Sequence, residues 1–254
     1  MKKRGILDFP THDCLLGFDA EWTKNYKIKN GNIPFCFSIV SVSKQEMSLN
    51  NLRSGNVKFK YIQFYCDHRE DARNLVALGN SFADMILSSL DTSILCGHQM
   101  SSDFSTLYNY GKAVEVDDLY GIDQLYKMWH FRKFNERVQV FDTRYDVIRS
   151  FMGKSRRLVD VCRDFNIDVT QPELRNTSMT KLQNSFYDSG DEDIYERIAV
   201  MNLRHSFCAL VLYWLNKIIK DDEDLIHFNI NKSIYGSLNK DFNWVRSNDF
   251  SKLL

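Results

Sequence analysis

Three strand-like segments follow one another near the start of this chain before any helical pattern appears, and that order restricts the fold more than any other feature. Residues 15–22 (LLGFDAEW) form an apolar run ending in acids. Residues 34–42 (PFCFSIVSV) alternate apolar with small polar side chains, and residues 58–66 (KFKYIQFYC) alternate with aromatics. A period of two predicts β-strands, with turns expected at Lys29–Asn32 and Asn50–Gly55. The pattern then changes. Residues 72–89 carry Leu75, Leu78, Phe82, Met85 and Ile86 at helical spacing, and 93–97 read as a short buried strand. Residues 101–112 open with Ser101-Ser102-Asp103, an expected helix start. Residues 116–135 place Leu119, Ile122, Leu125, Trp129 and Phe134 on shared helical faces; 138–142 return to strand; 157–166 and 192–219 read as helices. A meander followed by alternating helix and strand predicts an α/β domain with a mixed central β-sheet flanked by helices.

Composition narrows the possibilities. With 254 residues, only three prolines and no repeat or linker, the chain reads as one compact domain, expected over residues 1–220. Residues 221–254 lack a clear period and are expected as a C-terminal extension, packed on the domain or partly disordered. The 33 basic and 33 acidic residues cancel. No global field therefore draws the chain to nucleic acid, and any such contact must come from a local patch. None of the six cysteines forms a C-x-x-C pair, and none stands near a histidine at zinc-ligand spacing. Buried free thiols in a reducing compartment are expected. The start, MKKRGILDFP, lacks the apolar stretch of a signal peptide, and no run is expected to span a membrane. A soluble, cytoplasmic chain is expected.

Two places carry carboxylates in a pattern with chemical meaning. Asp19 and Glu21 stand two apart at the end of an apolar strand, so both point to one face. Like charges held that close want a cation, and hard ions such as Mg²⁺ or Mn²⁺ prefer oxygen ligands. Asp103 follows a buried strand, Gly97 and a polar loop, in the first turn of a helix. There it also suits the helix dipole, as an ordinary N-terminal acid would.

Together these segments resemble the DEDD superfamily of 3′–5′ exonucleases, which includes RNase D-like enzymes and family B polymerase proofreading domains. Gly17-Phe18-Asp19-Ala20-Glu21 matches the first motif. Gly97-His98-Gln99, then Asp103-Phe104, matches the second, with Gln99 in place of the usual Asn. Val140-Phe141-Asp142-Thr143, followed by the segment 157–162, matches the family's Asp-Thr strand and the helix after it. The third motif departs. Its natural match is Met201-Asn202-Leu203-Arg204-His205, where Met201 replaces a Tyr and His205 a metal-binding Asp. Tyr187-Asp188-Ser189-Gly190-Asp191 fits the literal pattern but reads as a turn, so Asp191 stays open as the completing residue.

The resemblance implies a ribonuclease H-like fold and a metal-dependent 3′–5′ exonuclease. It implies two ions, Mg²⁺ or Mn²⁺, with one ion possible: Asp19 would bridge, Glu21 would complete one ion and Asp103 would serve the second. His205 in the fourth slot could ligate Mn²⁺, which imidazole suits better than Mg²⁺, or act as a base, or be a core histidine. The expected partner is nucleic acid with a free 3′ end, with a partner protein supplied in trans as a further possibility. Lys154, Arg156 and Arg157, joined by Arg144 and Arg204, are the expected phosphate contacts, and Trp22 and Tyr26 are placed to stack a terminal base. The degenerate third motif leaves a second expectation open, a catalytically impaired module that binds nucleic acid or a protein partner.

Overall fold

The expected meander forms the middle of a six-stranded mixed sheet. The computed structural model describes residues 1–7, 13–24, 31–135, 138–147, 156–174, 177–219 and 225–254. In chain order the elements are β1 (Lys2–Ile6), β2 (Cys14–Thr23), β3 (Ile33–Ser43), α1 (Leu49–Ser54), β4 (Lys60–Tyr65), α2 (Ala72–Ser89), β5 (Ile94–Gly97), α3 (Met100–Ala113) and α4 (Tyr120–Phe131). Then come β6 (Val140–Asp142), α5 (Leu158–Asp164), β7 (Ile167–Asp168), α6 (Met179–Ser189), α7 (Glu192–Ile218), β8 (Phe228–Asn229), α8 (Ile230–Leu238) and α9 (Asn248–Ser251). The sheet order is β1-β4-β3-β2-β5-β6. The pairs from β1 through β2 are antiparallel, and β2, β5 and β6 run parallel.

Alternation along β2 separates two layers. Phe18 points to one face, where its ring stacks on Phe104 of α3 at 5.4 Å; Phe37 of β3 meets Phe82 of α2 on that side. Gly17, one residue earlier, faces α7: a methyl placed on it would lie 2.0 Å from the Ser206 carbonyl oxygen. So α2 and α3 cover one face, with α4 packed outside them, and α7 covers the other. Helix α7 is buried nearly all round. Although no membrane-length run was expected, α7 is long and apolar enough to cross a bilayer; 83% of that stretch is buried inside the fold, where it serves as the central core helix. All six cysteines are buried and free.

Four expectations change. Strand β1 was not foreseen, because its basic residues show no period; it adds an edge by pairing with β4. Asn50–Gly55 is the helix α1, capped by Ser48 and ended by Gly55 in the left-handed conformation. Helix α3 starts at Met100, one residue early, because its cap comes from elsewhere: the Asp142 carboxylate accepts from the Gln99 and Met100 amides. Helix α4 ends at Phe131, and Phe134 is 87% exposed. Here Arg132 donates to the Trp129 carbonyl and pairs with Asp146, turning the chain away from the helix axis.

Residues 225–254 pack on this domain. Strand β8 pairs with β7, and Phe228, Ile230, Ile234, Leu238, Phe242, Trp244, Val245 and Phe250 are buried in the same core. Their period was hidden because the segment is assembled from a two-residue strand and short helices.

Candidate metal centre

The parallel strands β2, β5 and β6 bring their C-terminal ends to one edge of the sheet. Asp19 and Glu21 project from β2 on the α7 side, and His205 of α7 stands opposite. Its Nδ1 lies 3.5 Å from Asp19 Oδ2 and 3.3 Å from Glu21 Oε1. One ligand-type atom from each of these three residues lies within 4.8 Å of the others. Two carboxylates at that separation repel by on the order of 3 kcal/mol at an effective dielectric near 20, so the site selects a cation or a proton. Asp103 contributes from the first turn of α3. It is 3% exposed, and its Oδ2 has no hydrogen-bond partner among the described residues.

The electrostatics follow from this crowding. Burial, then the Asp19 charge, pushes Glu21 up to about 7, against the opposing pull of His205. Burial, then Asp19 and Glu21, pushes Asp103 well above the usual carboxylate range. Burial alone would lower His205; the charges and hydrogen bonds of Asp19 and Glu21 outweigh it and hold the imidazole well above its ordinary value. Without a bound cation, His205 is therefore the counter-charge of the carboxylate pair. Its Nε2 lies 2.9 Å from the Gln171 side-chain amide nitrogen. A charged ring needs an acceptor there and a neutral ring can use a donor; a half-turn of the amide supplies either. Gln171 also lines a cavity of about 450 Å³ with Arg163, Asn166, Asp168 and His227.

Asn202, one turn before His205, fixes the pair from below. Its Nδ2 donates to the Asp19 carbonyl at 3.1 Å and to Asp19 Oδ2 at 2.7 Å. Its Oδ1 accepts from Gln63 Nε2 at 3.0 Å and from the Cys36 thiol at 3.2 Å, and Gln63 Nε2 also donates to the Ala199 carbonyl. Beside it, the Ser38 and Ser206 hydroxyls meet at 2.7 Å. This polar seam locks α7 to β2, β3 and β4. The motif supplied Asn202, but nothing in the sequence assigned it a role. Gln63 was signalled only as the polar member of an inward-facing row with Tyr61 and Tyr65.

Asp142 organises the other side. Besides capping α3 it accepts from Trp129 Nε1 at 2.7 Å and from the Arg144 amide at 3.0 Å. Thr143 bonds the Gly97 carbonyl and meets His98 Nδ1 at 2.9 Å. Burial and the nearby charges of His205 and Arg144 push His98 down to about 3, so it is neutral.

The remaining expected site residues divide. Asp191 caps the start of α7, its carboxylate accepting from the Asp193 amide. That is about 20 Å along the helix from His205, so it is not part of the cluster. Arg204 is no phosphate contact: it is fully buried and grips Glu173 with two bonds of 2.8 Å, because an arginine on this face of α7 points into the core. Arg156 is half-buried and donates to the Arg144 carbonyl at 2.8 Å. Arg157 is exposed, with Asp160 held in its fork at 2.8 and 3.2 Å. Trp22 is half-buried beside a register shift between Glu21 and Trp22. Lys154 and Tyr26 lie outside the described residues.

Compared with protein-family models, curated proteins and solved structures, the chain shows no match. What can be said of its chemistry rests on its own geometry. The two strand carboxylates and the imidazole of His205 are a set that could hold a divalent cation accepting both oxygen and nitrogen, with the buried Asp103 near enough for the charges of Asp19 and Glu21 to raise it.

Proposed function

We propose that this chain is a metal-dependent 3′–5′ exonuclease on a ribonuclease H-like fold, acting on nucleic acid with a free 3′ end. The observation that carries the reading is the convergence of Asp19, Glu21 and His205 within 4.8 Å, with the buried Asp103 close enough for the charges of Asp19 and Glu21 to raise it. The sheet order, an antiparallel meander extended by two parallel strands, is compatible with that fold. A bound divalent ion would supply charge neutralisation at the scissile phosphate and a more acidic water. Asp19, Glu21 and Asp103 would hold it, and Asn202 keeps Asp19 aimed at that place. His205 would give up its proton to join them, or keep it and stand beside the phosphate as a donor.

A second reading is favoured by one contact. His205 Nδ1 already occupies the gap between Asp19 and Glu21. A protonated imidazole there satisfies the pair without metal, which suits a module that binds nucleic acid or a partner protein and does not cut. Oligonucleotides labelled at the 5′ end, incubated with Mg²⁺ or Mn²⁺ separately, distinguish the two. Stepwise shortening that needs metal and is lost in Asp19→Ala supports the enzyme. Intact oligonucleotide with either metal, with Asp19→Ala indistinguishable from wild type, sinks it.

A further inference from the structure

Beyond the metal centre, the same end of the sheet carries an exposed aromatic and cationic ridge with no assigned role. Its base is a ladder of alternating rings and guanidinium groups. Arg132 lies over Trp129 at 4.1 Å and over Tyr145 at 5.8 Å, and Arg144 lies 5.8 Å from the Tyr145 ring. Trp129 and Tyr145 meet edge to face at 5.8 Å. The ladder is anchored to the site edge, since Trp129 donates to Asp142, the residue that caps α3. Arg144 and Arg156 grip each other's carbonyls next to His98. On either side of Arg132 in the chain stand Phe131 and Phe134, joined by a backbone hydrogen bond of 2.9 Å and 60% and 87% exposed, with Tyr145 at 38%. Lys133, exposed between the two phenylalanines, has no carboxylate partner among the described residues.

One exposed phenylalanine would be ordinary, but two of them three residues apart beside the exposed Tyr145 make an aromatic cluster of the kind that marks a binding surface. The interleaved cations decide what it binds. Protein interfaces take up aromatics and arginine but deplete lysine, whereas rings beside both Lys133 and Arg144 match the stacked bases and phosphates of a single strand. The position agrees. Asp142 stands two strands from β2, about 10 Å across the sheet from Asp19, so a strand threaded past Tyr145 reaches the metal centre within a few nucleotides.

We propose that Phe131, Lys133, Phe134, Arg144 and Tyr145 form a stacking platform for single-stranded nucleic acid that feeds the Asp19 centre. This rests on the reading of that centre as a nuclease site. Bases stack on Phe131, Phe134 and Tyr145, and Lys133 and Arg144 meet the phosphates. Such contacts are sequence-tolerant, since every base offers a ring face.

The test is binding of labelled oligo(dT) and oligo(rU) to the full chain by fluorescence anisotropy, with EDTA present so that neither metal nor cleavage enters. The doubly substituted Phe131→Ser/Phe134→Ser protein is expected to bind at least about tenfold more weakly, and Lys133→Glu to flatten the salt dependence by about one phosphate contact. Both phenylalanines are exposed, so folding is not at stake. The stronger of the two oligonucleotides identifies DNA or RNA as the source of the strand. Unchanged affinity in the double variant, absence of binding by wild type, or a wild-type dimer that the double variant dissociates without loss of oligonucleotide affinity would each overturn the platform. Cleavage is scored separately: binding through the ridge without cutting fails the nuclease reading and keeps the surface, and cutting that ignores the ridge does the reverse.

Discussion

The side-chain amide of Asn202 holds Asp19 at two points, the backbone carbonyl at 3.1 Å and the carboxylate at 2.7 Å. Asp19 is thereby aimed, and α7 is tied to β2 at the place where His205 must arrive. Asn202 is fully buried, and removing its amide takes one hydrogen bond each from Gln63, the Cys36 thiol, the Asp19 carbonyl and the Asp19 carboxylate. Asn202→Ala is expected to destabilise the fold by about 2–3 kcal/mol, read by urea unfolding. It is also expected to weaken Mn²⁺ binding about tenfold or more, read by isothermal titration. A stability loss without any change in Mn²⁺ affinity would show that Asn202 braces the core and does not aim Asp19.

Proton competition would give cation binding at the candidate centre a pH signature. Glu21 sits at about 7, and His205 and Asp103 are both raised. Each must lose its proton to ligate, so cation binding releases protons. Stabilisation of the fold by Mn²⁺, read as a thermal shift, is expected to grow from about pH 6 to about pH 8. His205→Asp supplies a fourth carboxylate and is expected to shift preference from Mn²⁺ towards Mg²⁺. A Mn²⁺ shift that is flat with pH would mean that the ion binds elsewhere.

His98 acts on the acid side with a sign of its own. Its folded value of about 3 lies below the ordinary 6.5, so the unfolded chain binds the extra proton. The stability it contributes is full above 6.5 and is lost as pH falls towards 3. The expected loss is a few kcal/mol. Glu21 and Asp103, with raised values, work in the opposite direction over part of this range. The informative quantity is therefore the difference between wild type and His98→Gln in urea unfolding. That difference should narrow as the pH falls. A difference constant with pH would place a charged, compensated His98 in the folded chain.

How much of this was readable in advance depended on whether partners share an element. Period two along one strand placed Asp19 and Glu21 on one face. A strand, a glycine and a helix start placed Asp103, and the resemblance to the exonucleases' third motif singled out His205. The meander and its parallel extension followed from the order of periods. Contacts that join elements remote in sequence left no pattern: Asn202 to Gln63, Gln171 to His205, and Asp142 capping a helix 42 residues away. Phe134 was placed on a helical face because helical spacing continues past Phe131, where Arg132 bends the chain towards Asp146. Arg204 read as a surface cation because its partner, Glu173, lies in an irregular segment.

That Arg204–Glu173 pair couples the C-terminal residues to the site. Glu173 also accepts from Trp244 Nε1 at 3.0 Å, and Arg204 donates to Asn231 at 2.9 Å. Arg204 is next to His205, and Glu173 is two residues from Gln171. Burial alone would raise Glu173, but Arg204 outweighs it and holds the carboxyl below its usual range. Glu173→Gln strands a buried guanidinium and is expected to cost about 3–5 kcal/mol. Trp244→Phe removes one hydrogen bond, part of a buried ring and some of its contact with Arg197 at 4.4 Å but strands no charge, and is expected to cost less, about 1–2 kcal/mol. Both are read by urea unfolding. Equal, small losses would mean that the pair is not desolvated as the fold implies.

Gly17 sets the distance between the two halves of the centre. A methyl at this position would lie 2.0 Å from the Ser206 carbonyl oxygen and 2.7 Å from its carbon, both backbone atoms that cannot swing aside. The residue next to Ser206 is His205, and two residues beyond Gly17 is Asp19. Any side chain at 17 must therefore push α7 off β2 at the level where imidazole meets carboxylate. Gly17→Ala is expected to destabilise the fold by about 1–3 kcal/mol, as overpacking does. It should also weaken Mn²⁺ binding, because His205 moves away from Asp19 and Glu21. Gly79→Ala is the matched control, since a methyl there meets only the Phe37 ring at 3.6 Å, an ordinary contact. If Gly17→Ala binds Mn²⁺ as wild type does while losing stability, the ion is held by Asp19, Glu21 and Asp103 alone, and His205 stands outside its coordination.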